Sequence, residues 1–425
     1  MPDFELVPIG TSREHRHFGI VVLMVAFSIM SYFDRIIMSI AGPRIMGESG
    51  LTETQMGAIY SAFTLSYGLL MIPGGRLADR FGPRRVLTLM GLGAAVFTAL
   101  TAFGGRPLFG IWLGVLPSFL AIRLGFGAAT APLYPSCAIV NSRWTPLAHR
   151  ARIWGWVASG TGSGGALAPV LFTSMIDQYG WRPSFVLSGL VTGILGVLWY
   201  FYARDFPGSV PAPIKAAKSN TPWRTLFTHR HLMLLTLSYL AANYFEYIFF
   251  YWLFYYFAQI RHASSRESAI SSAIIWTAWA IMTPIGGWIS DRLVARFGRR
   301  KGRRAVPMLS LIVAGVLLVV AINVTSTVTM VALLFLTLGL AAATDGPYWV
   351  SSSDFGGRHV GAAAGILNTG GNIGGFLAPI LTPFLAARMG WSWALYAGSV
   401  IVILGAVLWF FIDVPDLASN NEAIA

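Results

Sequence analysis

From Phe18 to Ala41 the chain carries no charge except one adjacent pair, Asp34 and Arg35. At about 1.5 Å per residue this run is about 36 Å long, enough to cross a bilayer core with some tilt. Stretches of the same kind recur along the whole sequence. The first seventeen residues are polar, and the apolar run after them is too long for a signal peptide. No small-residue cleavage site follows it, so it is expected to remain as the first helix. A composition that is 55% apolar and 11% charged, with mean hydropathy +0.64, exceeds what a soluble chain of 425 residues needs. These features specify an all-α polytopic membrane protein.

Twelve spans are expected, near 18–41, 55–76, 86–103, 110–140, 152–176 and 183–203, then 231–258, 268–289, 305–323, 328–350, 360–387 and 392–412. The longest polar break, 204–230, contains Pro207, Pro211, Pro213 and Pro222 and reads as a linker between an 18–203 bundle and a 231–412 bundle. Residues 1–17 and 413–425 are short polar ends, the last expected to be disordered.

The net charge of +13 raises the question of nucleic acid, and its distribution answers it. Of the 30 Lys and Arg, 22 fall in one alternating set of loops, among them Arg76 to Arg85, Lys215 and Lys218, Arg292 to Arg304 and Arg358. Six fall in the other set and two, Arg35 and Arg123, within spans. That asymmetry places both termini in the cytoplasm of a cell-membrane protein. No nucleic-acid partner is implied, and the lone Cys137, in an apolar stretch, leaves no disulfide framework and no metal cluster.

The chain also repeats itself. Gly74-Gly75-Arg76-Leu77-Ala78-Asp79-Arg80 is echoed by Gly286-Gly287-Trp288-Ile289-Ser290-Asp291-Arg292, an offset of 212 residues. Gly164 to Pro169 and Gly374 to Pro379 match at 210, as do Tyr179-Gly-Trp181 and Met389-Gly-Trp391. Two pseudo-symmetric six-helix bundles with a site between them near the midplane follow from such a repeat. Gly75, Asp79, Arg80, Asp291 and Arg292 would then form a cytoplasmic gate, paired glycines allowing close helix approach and the acids meeting helix ends or arginines.

Ionisable groups inside a span cost roughly 2.5–3.5 kcal/mol each and are functional suspects for that reason. Asp34 and Arg35 diverge by about 100° on a helix, so they face different neighbours. Arg35 and Arg123 offer planar donor forks suited to a carboxylate. Asp34 suits proton coupling, because its proton affinity would answer both to desolvation and to nearby arginines.

With these residues in view, the chain resembles the major facilitator superfamily, in the anion:cation symporter branch that includes bacterial sugar-acid symporters, sialin and vesicular glutamate transporters. Tyr32-Phe33-Asp34-Arg35, Tyr67 to Arg80, Arg123 with Ala131-Pro132, Tyr247 to Trp252 and Gly365 to Gly375 carry the resemblance, which covers residues 15–412. It implies that Arg35 and Arg123 meet an anionic substrate. It also places Tyr67, Tyr134, Asn368 and Asn372 on site-lining helices, where they offer hydrogen bonds. Members of the branch commonly carry a glutamate where Thr130 stands. Threonine does not titrate, which leaves Glu246 and Asp345 as further candidates for proton coupling.

The resulting expectation is a secondary transporter taking up a small organic anion, a carboxylate or sugar acid, by proton symport through alternating access. An exchanger, uniporter or exporter not coupled in the usual way is the alternative. The proton is the expected coupling ion, with no other cofactor, and the chain is expected to act as a monomer in the bilayer. No nucleophile–base constellation or phosphate loop suggests an enzyme, and Gly160 to Gly165, lying within a span, reads as helix packing.

Overall fold

The computed structural model describes residues 11–107, 113–145, 149–206, 223–356 and 360–414. Lys215, Lys218, Arg358, Pro207, Pro211, Pro213 and Pro222 lie outside the described residues, as does the tail beyond 414.

Helices dominate what is described. The first bundle holds α1 (Thr11–Ser49), α2 (Glu53–Phe81), α3 (Pro83–Thr101), α4 (Val115–Thr130), α5 (Leu133–Trp144), α6 (Arg150–Tyr179) and α7 (Trp181–Tyr202). The second holds α8 (Arg230–Tyr255), α9 (Ser265–Asn323), α10 (Thr327–Ala342), α11 (Asp345–Gly356), α12 (Val360–Met389) and α13 (Trp391–Leu408). They trace twelve spans, arranged differently from twelve separate helices. A short turn divides two spans: α4 and α5 part at Ala131-Pro132, and α10 and α11 part at Ala343-Thr344. Conversely α9, 59 residues long, contains two spans and turns between them at Gly298, whose φ of +79° favours glycine.

The internal repeat is visible in backbone detail. Thr52 caps α2 in a reciprocal capping box with Gln55, and Ser264 does the same for α9 with Glu267, again 212 residues apart. Gly180 and Gly390, both at positive φ, start α7 and α13. Gly74 abuts Pro132 at the break of the α4–α5 span, as Gly286 abuts Ala343 at the break of the α10–α11 span. Each bundle thus anchors the start of its motif on the kink of its own fourth span.

The bundles meet along α1 with α8, α2 with α12 and α6 with α9. At the end away from Asp79 and Asp291 they close tightly. A Cβ on Gly57 would stand 2.0 Å from the Pro379 carbonyl oxygen, and Ser61 donates to the Phe376 carbonyl at 2.6 Å. Tyr60 stacks on Tyr251 with ring centroids 4.8 Å apart, and Tyr255 donates to Glu53.

Candidate functional site

A cavity of about 230 Å³ lies between the bundles. Arg35, Tyr67 and Tyr134 line it from the first bundle; Glu246, Asp345, Asn368 and Asn372 line it from the second. Its wall is largely aromatic, with Tyr32, Trp154, Tyr239, Tyr247, Trp279 and Trp349 all contributing.

Arg35 is 4% exposed and stands at the aromatic centre of this cavity. Its guanidinium carbon is 4.5 Å from the Phe250 ring centroid, 4.7 Å from Phe63 and 4.9 Å from Tyr247, within cation–π range. Nη2 donates to the Tyr247 hydroxyl, while Nε has no hydrogen-bond partner among the described residues. No carboxylate lies within 4.0 Å of the guanidinium among those residues. A buried cation left this way keeps charge and donor capacity that the described residues do not satisfy.

Asp34 faces elsewhere, as helix geometry requires. Its two oxygens accept from Ser188 Oγ and Thr192 Oγ1 of α7, each at 2.6 Å, and it does not line the cavity. Arg123 also lies off the cavity wall, 2% exposed. The Phe63 ring is shared between the two arginines, 4.7 Å from the Arg35 guanidinium carbon and 5.1 Å from that of Arg123. Arg123 Nε and Nη2 have no hydrogen-bond partner among the described residues, and neither Asp34 nor Glu246 forms an ion pair with it. The structure therefore brings Arg35 to the cavity and keeps Arg123 one aromatic ring behind it. Thr130 spends its hydroxyl on the Phe126 carbonyl of its own helix, at 2.8 Å.

Asn368 and Asn372, one turn apart on α12, both reach the cavity wall. Asn368 contacts Met71, and Asn372 packs where a Cβ on Gly68 would stand 3.0 Å away. Tyr134 shares a hydrogen bond with Ser28 at 3.2 Å. Asp345 accepts through one oxygen from Trp349 Nε1 at 3.0 Å and from the Tyr239 hydroxyl at 3.3 Å. Glu246, 7% exposed, has no hydrogen bond or ion pair among the described residues.

The repeated motif stays within its own bundle. Gly75 packs on Pro135, Asp79 and Arg80 are exposed, and Arg292 lies over Trp288 at 3.7 Å. Asp291 pairs with Arg303 of the same bundle at 3.0 Å. Among the described residues no ion pair joins the bundles at this end.

Tyr247 carries part of the family resemblance in the sequence but is not among the site residues expected there. The available signal was the repeat: 212 added to Arg35 gives Tyr247.

Comparison with known proteins agrees with this architecture. The profile of the Major Facilitator Superfamily matches residues 23–356 and 293–425. A probable sulfoacetate transporter of Cupriavidus necator is 29% identical over 418 residues, covering 94% of each chain. The hexuronate transporter of Bacillus subtilis is 27% identical, covering 95% of this chain and 97% of its own. The D-galactonate transporter of Escherichia coli is 25% identical over 438 residues, covering 96% and 98%. Among solved structures, an inward-facing, unoccupied bacterial homolog of the human lysosomal transporter Spinster superposes with TM-score 0.77 at 17% identity, over 93% of this chain and 97% of that one.

Proposed function

Because the chain belongs to the Major Facilitator Superfamily, we propose that it takes up a small organic anion across the cell membrane by proton symport, both termini being cytoplasmic. The observation carrying this reading is Arg35, a buried guanidinium on the wall of a cavity between the two bundles, with no carboxylate among the described residues to neutralise it. The relatives named as a probable sulfoacetate transporter, a hexuronate transporter and a D-galactonate transporter, all for acids, support the same substrate class.

In this reading Arg35 and Tyr247 receive the acid group, while Tyr67, Tyr134, Asn368 and Asn372 hold its hydroxyls or oxygens. Asp34 takes the proton. It lies next to Arg35 in the chain but turns to Ser188 and Thr192, so any movement of α1 on substrate binding alters both side chains at once. Arg123, behind Phe63, strengthens the positive field on the same side. The tight contacts at Gly57 and Ser61, and the absence of an ion pair across the opposite end among the described residues, suit one stage of an alternating-access cycle.

One observation favours a second reading, an exchanger or uniporter. Thr130 occupies a place where a titratable group is expected and, among the described residues, bonds only within its own helix. Reconstitution into proteoliposomes separates the two. Uptake of an organic acid that is driven by an imposed inward proton gradient and lost in Arg35→Gln supports symport. Uptake that needs only the same acid inside the vesicle supports exchange.

A further inference from the structure

The cavity carries opposite charges on its two walls. Arg35 supplies one positive charge from the first bundle; Glu246 and Asp345 supply two carboxylates from the second. With a purely anionic substrate bound, both acids would have to hold a proton or remain buried without a counter-charge. The carboxylates are not neutralised by the protein, since neither forms an ion pair among the described residues.

Their surroundings indicate what neutralises them. Among the described residues Asp345 has two donors, Trp349 Nε1 and the Tyr239 hydroxyl, which address Oδ1 and leave Oδ2 without one. Glu246 is more than nine-tenths buried, lines the cavity and has both oxygens without a hydrogen-bond partner among the described residues. Three carboxylate oxygens are thus available beside the rings of Tyr239, Trp279 and Trp349, and Tyr239 and Trp349 themselves lie edge to face with centroids 6.2 Å apart. An ammonium group carries three donors and a charge that aromatic faces attract. Burying carboxylates without a partner is costly, whereas a bound cation satisfies both.

We propose that Glu246 and Asp345 form a subsite for an ammonium group on the substrate itself, so that the preferred ligand is zwitterionic: an acid group at Arg35 and Tyr247 and an amino group at Glu246 and Asp345. This rests on the organic-anion reading above and narrows it to amino-bearing carboxylates or sulfonates.

The test uses purified full-length protein and matched sets of acids that differ only at the far end. One such set is pentanoate, 4-aminobutanoate and pentanedioate, which end in a methyl, an ammonium and a second carboxylate. Sets of shorter and longer chains, and their sulfonate counterparts, complete the panel, together with alkylamines lacking any acid. Affinities come from ligand-dependent thermal stabilisation, measured with and without sodium. The amino member of at least one set is expected to bind about tenfold or more tightly than both of its partners, a difference typical of one satisfied charge. In Glu246→Gln that ratio falls towards one, and in Glu246→Asp it persists.

Equal or tighter binding of the methyl- or carboxylate-ended acids overturns the ammonium subsite while leaving organic-anion transport standing. So does a ratio unchanged in Glu246→Gln, or binding of the plain acids that appears only with sodium, which would assign the carboxylates to an inorganic cation. Alkylamines binding as well as the amino acids, or no binding anywhere in the panel, overturns both readings. The wild-type ratio stands whether or not a variant folds.

Discussion

Arg35 donates to the hydroxyl of Tyr247, and the two residues are 212 positions apart, the same interval that separates Gly74 from Gly286 and Thr52 from Ser264. They are therefore equivalent positions of α1 and α8, meeting at the pseudo-symmetry axis. One repeat has placed a guanidinium there and the other a phenol that holds it.

Removing that hydroxyl tests its role as a support. Tyr247→Phe keeps the ring 4.9 Å from the Arg35 guanidinium carbon and deletes the acceptor. A hydrogen bond to a charged group is worth about 1.5–3 kcal/mol, so substrate affinity should fall about tenfold or more. Titration of stabilisation against ligand concentration measures it. An unchanged affinity would make the contact incidental.

Asp34 offers a different separation. Asp34→Asn retains an acceptor for one hydroxyl of α7 and removes the titrating group, so substrate binding should survive while proton-driven accumulation is lost. Replacing Ser188 and Thr192 together by Ala and Val takes both α7 hydroxyl donors from the buried carboxylate and should cost about 1–3 kcal/mol per lost bond. Proteoliposome uptake with and without a proton gradient reads the first; thermal unfolding reads the second. Gradient-driven uptake in Asp34→Asn would move coupling to other groups.

How much of this was legible beforehand depends on the physical signal. The spans and the repeat were open to inspection, because hydrocarbon demands long charge-free runs and the glycine landmarks recur at one interval. The divergence of Asp34 from Arg35 followed from the helical twist alone. The position of Arg123 did not. Which face of α4 meets the cavity is set by packing against Phe63 and by the break at Ala131-Pro132, and both arise only in the folded bundle. Tyr247 was hidden for another reason. In α8 every residue from Ala241 to Tyr255 is buried, so no periodicity distinguishes the cavity side from the packed side. The motif acids Asp79 and Asp291 read as a latch, yet Asp79 is exposed and Asp291 pairs inside its own bundle.

Two glycines of the repeated loops share a backbone and differ in surroundings, which predicts unequal costs. Gly82 and Gly298 have φ of +85° and +79°, disfavoured for any side chain by about 1–3 kcal/mol. At Gly298 a Cβ meets nothing within 4 Å. At Gly82 it would stand 2.7 Å from an Asp205 carboxylate oxygen, the side chain that accepts the Arg84 amide at 2.9 Å. Gly82→Ala should therefore lower the thermal midpoint more than Gly298→Ala. Equal losses would show that backbone conformation alone decides the cost.

His229 gives stability a pH dependence with a definite sign. It caps α8 by accepting the Leu232 amide on Nδ1 at 3.2 Å, a bond that only the unprotonated nitrogen can make. Burial, and then the neighbouring His231, hold its pKa below the ordinary 6.5. The folded state thus prefers the neutral ring. Its contribution is fully present above pH 6.5 and is lost as pH falls from there towards the lowered folded value. The thermal midpoint of the wild type should decline below that pH more steeply than that of His229→Asn, whose amide oxygen caps the helix without titrating. Unfolding curves collected from pH 8 down to about 5 decide the matter, because the other carboxylates and histidines are common to both proteins. Parallel curves would mean that the cap does not titrate in this range, and the acid sensitivity would then have to come from groups elsewhere in the bundles.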